Sequence, residues 1–246
     1  MLAQIVSSGS RTSLMRDRVV DITGSDTPES VYNCFRDNYD LRGFKVTARL
    51  HANLTSQVSI VGRIPGQITP DKFTFTSADP ANPITCSGSL LWGFGFEGCC
   101  AIDNMILAPT YIGISVSGFA KAFGGNLTFS MGSNVLSLVN VIDTGSNFTQ
   151  SGPIKFLEGG HATTAFRAED GAQINLANQL ICVGTPSINV FAGSDLNSMI
   201  ETTSCAPTGS ITGVSAQATQ VSVVWTGGLK NLPGSPGSAD ATSYYG

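Results

Sequence analysis

Charge is scarce in this chain of 246 residues: Asp, Glu, Lys and Arg make up 12%, and only two histidines are present. Residues 1–83 carry nine basic and eight acidic side chains, whereas residues 84–246 carry four and nine. Without a basic stripe to displace phosphate counterions, nucleic acid is not an expected partner. No apolar run reaches the roughly 18–20 residues of a membrane helix, so no membrane insertion is expected either. The first twenty residues lack a basic segment followed by an apolar one, the mark of a secretory signal, and assembly in a cytoplasm is expected. Neither His51 nor His161 lies near a G-x-S-x-G elbow, which leaves no serine triad. Calcium-binding nonapeptide repeats are absent. None of the six cysteines forms a CxxC, and the adjacent Cys99 and Cys100 cannot build a zinc knuckle. Neither metal nor cofactor is therefore expected. The thiols read as free, packed like small hydrophobes. Disulfides formed after release are the alternative, with Cys182 and Cys205 stacked if they hold equivalent places in adjacent coils.

What is present is short apolar alternation. A hydrophobic content of 41% excludes disorder. From about residue 88 to 225, segments such as ISVSGF, VLSLVNV, AQINLA and VSVVW are each closed by Gly, Asn, Ser or Thr. They repeat loosely: Ile114-Ser-Val116 returns as Leu136-Ser-Leu138 after 22 residues, Asn104, Asn126 and Asn147 follow at 22 and 21, and Cys182 and Cys205 are 23 apart. A fixed period with strands in each unit predicts a β-solenoid. If buried, the three asparagines would form an amide ladder; otherwise they are loop residues.

Residues 1–20 read as an arm, either bound to a partner or simply a flexible start. Thr27-Pro28-Glu29 predicts a helix to about Asp40, stopped by Gly43 and placed to cap the first coil. Residues 44–50, 57–64 and 73–78 alternate as strands. Trp92, Phe94 and Phe96 share one strand face, which favours the core over a sugar-binding platform. Residues 144–164 predict a protruding loop, and the Pro/Gly/Ser-rich segment 226–246 a docking tail. The resulting architecture is all-β: an arm (1–20), a capping-helix region (21–43), a solenoid (44–225) and a tail (226–246).

The helix TPESVYNCFRDNYDLRG, the strand FKVTARLHANLT, the coil GGHATTAFRAEDGAQINLANQLICVGTP and the ending NLPGSPGSADATSYYG together resemble small β-helix proteins of tailed phages and prophages. They are similar to the β-helical parts of tail fibres and tailspikes, most closely over residues 171–192 and 233–246. That resemblance implies a right-handed, single-stranded β-helix, a homotrimer, and a virion structural protein that serves host-surface attachment. It implies partners among other virion tail proteins, reached through residues 1–20, and a host cell-surface glycan. No family active site is matched.

Receptor contact is expected from the loop 144–164, with Asn147, Phe148, Lys155, Phe156 and His161 as candidates. The densest charged cluster is Glu158, His161, Arg167, Glu169 and Asp170. If the protein is instead a glycan depolymerase, Glu158, Glu169 and Asp170 would carry the chemistry, since glycoside hydrolysis needs two carboxylates roughly 5–10 Å apart. The bland reading is solvated loop charge. No acidic pair recurs at 21–23 residues; Asp143 and Glu169 come nearest, at 26. A capsid or tail decoration protein is the remaining alternative.

Overall fold

In the strand Val46–Leu50, Val46, Ala48 and Leu50 are buried while the residues between them are not. This period of two lays one side of each strand on a core. The strands then stack in parallel, each on the strand one turn earlier: Val46 opposes Arg18 below and Phe73 above. The computed structural model describes residues 11–202, 205–226 and 232–245. It is all-β, with a parallel β-solenoid of about 8 turns.

Each turn has three faces. The first runs from Arg18–Ile22 through Val46–Leu50, Phe73–Ser77 and Asn147–Gln150 to Tyr244–Tyr245. The second carries the row Cys86, Leu107, Phe129, Phe156, Cys182, and the third the row Ile60, Phe94, Val116, Val141, Ala168, Ser194, Ala218, Ala239. The interior is aromatic. Phe129 and Phe156 stack with centroids 5.9 Å apart, and Phe166 and Phe191 close on Phe156 edge-on at 5.9 and 5.6 Å. Trp92 and Phe94 are buried as expected, but Phe96 is 63% exposed because it lies past the strand end, at a corner.

The true period differs from the low twenties read in the sequence. Lys121, Asn147, Gln173 and Met199 lie one above another at 26-residue steps, with longer turns before and shorter ones after. Ile114 therefore pairs with Val139, not Leu136. Asn147 lies in a strand opposite Lys121, while Asn104 and Asn126 occupy a corner, so the three form no ladder; the Asn126 amide donates to Asp103 Oδ1 at 2.8 Å. Cys182 sits over Phe156, out of line with Cys205, and all six cysteines are free.

The corner from the third face to the first is built alike in successive turns. Gly118 and Phe119, Asp170 and Gly171, Leu196 and Asn197, and Gln220 and Val221 all have positive φ. The next residue is small and buried: Ala120, Ser146, Ala172, Ser198, Ser222. Where it is serine, its hydroxyl accepts a backbone N–H from the turn before, as from Phe119 to Ser146 and from Gly171 to Ser198, both at 3.1 Å.

The helix spans Pro28–Asn38, with a reciprocal Thr27–Ser30 capping box and Pro28 in its first turn. It ends two residues short of the expected Asp40 because Tyr39–Asp40 pairs as a strand with Thr12–Ser13. Val31, Tyr32 and Phe35 pack inward, Tyr32 and Phe35 against Phe73, and the Tyr32 hydroxyl donates to the Gly62 carbonyl at 2.8 Å. Glu29 accepts the Ser59 N–H at 2.8 Å and Arg36 donates to the Val61 carbonyl at 2.9 Å.

Two further expectations are corrected. Residues 144–164 are no protruding loop: they contain the strands Asn147–Gln150 and Ile154–Phe156, part of an ordinary turn. The segment 226–246 is no separate tail, since Ser238–Ala239 and Tyr244–Tyr245 add to the stack and the Tyr245 hydroxyl lies 3.0 Å from Ser215 Oγ. Of the expected arm, residues 1–10 lie outside the described residues, and Arg18–Ile22 already belongs to the solenoid.

Candidate functional site: a groove on the third face

The third-face strands bend midway, so their outer surface is concave. On Ala162–Glu169, Thr164, Ala165 and Phe166 are all buried in succession, which breaks the alternation. In register across this hollow stand Arg167, Gly193 and Gln217 from three successive turns. Gly193 has no side chain to fill the middle, and a Cβ there would come to 3.4 Å from the Thr164 methyl, ordinary contact. The result is an open groove of about 410 Å³, with Thr164 and Val190 on one side and Asp195 and Thr219 on the other. Ser194 lines it as well. Its hydroxyl is buried and has no partner among the described residues. A buried polar atom left unpaired costs about 1–3 kcal/mol unless something hydrogen-bonds to it.

At one end of the groove two carboxylates meet. Ala168 pairs with Ser194, so Glu169 and Asp195 occupy the same level of neighbouring turns, where parallel strands lie roughly 4.8 Å apart. Glu169 is paired with Arg167 and its side chain is only 17% exposed. Burial raises its pKa, the Arg167 guanidinium opposes the rise, and the charges of Asp195 and Asp170 add to it. Asp195 is held differently: its Oδ1 accepts the Leu196 N–H at 3.0 Å and the Thr219 hydroxyl at 2.8 Å, contacts that favour the anion. Two carboxyl groups with opposed tendencies thus sit side by side at the edge of a hydroxyl- and amide-lined hollow.

The residues expected from the sequence fall out as follows. Phe148 and Phe156 are fully buried in the solenoid interior, so no receptor can touch them. Asn147 lies on the first face, exposed Lys155 on the second, and His161 at the corner beyond it, with Nδ1 2.9 Å from Ser187 Oγ. These five do not converge. Glu158 sits at that same corner, over Gly184 of the next turn. The whole strand Ala162–Glu169 separates it from Glu169 and Asp170, up to about 25 Å at ~3.3 Å per residue. The three acids therefore do not form one centre. Asp195, Ser194 and Gln217 were missed because acidic pairs were sought at 21–23 residues. Glu169 and Asp195 are 26 apart, the step already visible between Gly145 and Gly171. Among the described residues no group of three or more His, Cys, Asp or Glu converges as metal ligands, and no helix is long and apolar enough to cross a membrane.

Comparison with protein-family models, with curated proteins and with solved structures finds no match for this chain.

Proposed function

We propose that the protein is a glycan-binding solenoid that serves host-surface attachment as a virion structural protein, a component of a bacteriophage tail fibre or tailspike. The third-face groove is its recognition surface. The observation that carries this reading is the groove itself, above all the unpaired, buried Ser194 hydroxyl beneath a row of Arg167, Gly193 and Gln217. Polyhydroxylated ligands supply the donors and acceptors that such a row leaves open, and a neutral or weakly charged sugar suits a surface this poor in charge. The resemblance of residues 171–192 and 233–246 to tail-fibre coils supports the phage setting, together with a right-handed homotrimer joined to other tail proteins through residues 1–20. In that setting the helix is the N-terminal cap. Its Glu29 and Arg36 satisfy Ser59 and Val61, backbone groups at the edge of a strand paired on one side.

Gly193→Leu tests the groove. The side chain projects into the hollow and away from the core, so binding to host-surface polysaccharide should fall at least tenfold while the melting temperature holds. Equal binding by variant and parent would refute the groove as the recognition surface. A stable trimeric mass for the purified protein would support the assembly, and a monomer would count against it.

The Glu169–Asp195 pair favours a second reading, glycoside cleavage with protonated Glu169 as the acid and Asp195 as the anionic partner. Release of oligosaccharide from the bound polysaccharide decides between the two. If it occurs, Glu169→Gln should slow it by about 10²–10⁴-fold with binding retained. If no sugar is released, the protein binds only.

A further inference from the structure

A second concavity lies on the other side of the molecule's long edge, at the corner between the third and first faces. It holds about 180 Å³ and is lined by Arg63, Glu97, Cys99, Phe119 and Lys121. Three features set it apart. Phe119 is 60% exposed and has φ of +64°, a left-handed conformation unfavourable to any side chain, above all a bulky one. In the next two turns the same register position is Gly145 and then Gly171. The chain therefore places an exposed aromatic ring where its own repeat uses glycine, and such strain concentrates at ligand clamps and other functional positions. Arg63 and Lys121 are the second feature: neither joins an ion pair among the described residues, whereas Arg36, Arg49 and Arg167 all do. Arg63 uses one N–H on the Ile68 carbonyl, at 3.0 Å, and keeps the rest of its donors. Third, the floor is uncharged: Cys99 is buried and its thiol is pushed up to about 11 by that burial. Asp71 acts on the same thiol but does not line the pocket.

We propose that this pocket binds a carboxylate-bearing sugar unit of the uronic-acid class. The carboxylate sits between Arg63 and Lys121, the apolar C–H face of the ring lies on Phe119, and Glu97 at the rim accepts from sugar hydroxyls. The inference rests on the preceding reading only in taking a glycan as the ligand, and it uses a different surface.

The test is calorimetric titration of the full chain, at low salt, with a hexasaccharide alternating glucuronate and N-acetylglucosamine. The expected result is binding that weakens at least tenfold when the carboxyls are reduced to alcohols, and at least tenfold in Arg63→Gln and in Lys121→Gln. Phe119→Gly should weaken it equally while keeping the melting temperature within about 3 °C of the parent, because the lost ring contact is offset by relief of the left-handed strain. Equal binding of the reduced sugar, or inorganic phosphate binding as tightly as the hexasaccharide, would overturn the proposal. So would unchanged affinity in Phe119→Gly. Loss of hexasaccharide binding in Gly193→Leu would place the sugar in the third-face groove and sink the pocket alone.

Discussion

Phe156→Ala is expected to lower the free energy of unfolding by about 3–5 kcal/mol, the range for truncating a fully buried aromatic ring. Phe156 is 0% exposed and touches three other rings: Phe129 below in a near-parallel stack, and Phe166 and Phe191 edge-on. Its removal leaves a hole shared by three turns, none of which can close it without moving a strand that neighbouring turns hold in register. Set against a typical total of about 5–15 kcal/mol, the loss is large enough to see in any urea titration. The measurement also separates two meanings of a failed binding assay. A receptor contact at Phe156 would abolish binding at unchanged stability, whereas a core ring abolishes it by unfolding the coil. A shift of the urea midpoint under about 1 kcal/mol would contradict the core assignment.

The second large effect separates adjacent glycines. Gly159 and Gly160 both have positive φ, +105° and +69°. A Cβ on Gly159 meets nothing within 4 Å. On Gly160 it would fall onto the carbonyl oxygens of Met131 and Gly132 in the turn beneath, far inside van der Waals contact. Gly159→Ala should therefore cost only the left-handed penalty, about 1–2 kcal/mol. Gly160→Ala adds a backbone collision and should cost about 3 kcal/mol or more. Were this segment the protruding loop its composition suggests, the two substitutions would be equally mild. The difference in their midpoints is the readout.

That contrast shows what was legible in the sequence. The alternation of Val46, Ala48 and Leu50 and the turn residues gave the solenoid class, because period-two burial is a local property. Thr27-Pro28-Glu29 gave the helix for the same reason. Register is not local. It depends on how many residues each corner consumes, and here that number varies from turn to turn, so a search at 21–23 residues aligned Ile114 with the wrong partner and passed over Asp195. Gly and Ser in the segment 144–164 suggested exposure. They serve instead as corner residues, with Ser146 fully buried and accepting from Phe119. The candidate site was half visible: Glu169 stood out as a charge in a poorly charged region, but Gly193 matters through the side chain it lacks. The exposed left-handed Phe119 could not be told from a core phenylalanine before the corner was built.

The repeated corner has a further consequence, for length. Ser146 and Ala172 fill the same small buried site in successive turns, and each is followed by a residue of the first-face row, Asn147 and Gln173. The backbone thus arrives at residue 173 in the pose in which it arrived at residue 147. Excising one such module, or copying it, would leave the chain pointing in the same direction and alter the height of the column by about 4.8 Å. The protein is in this sense a measuring rod graduated in turns. Distance between its two ends can change in evolution by whole steps, without a new core having to be invented at either one.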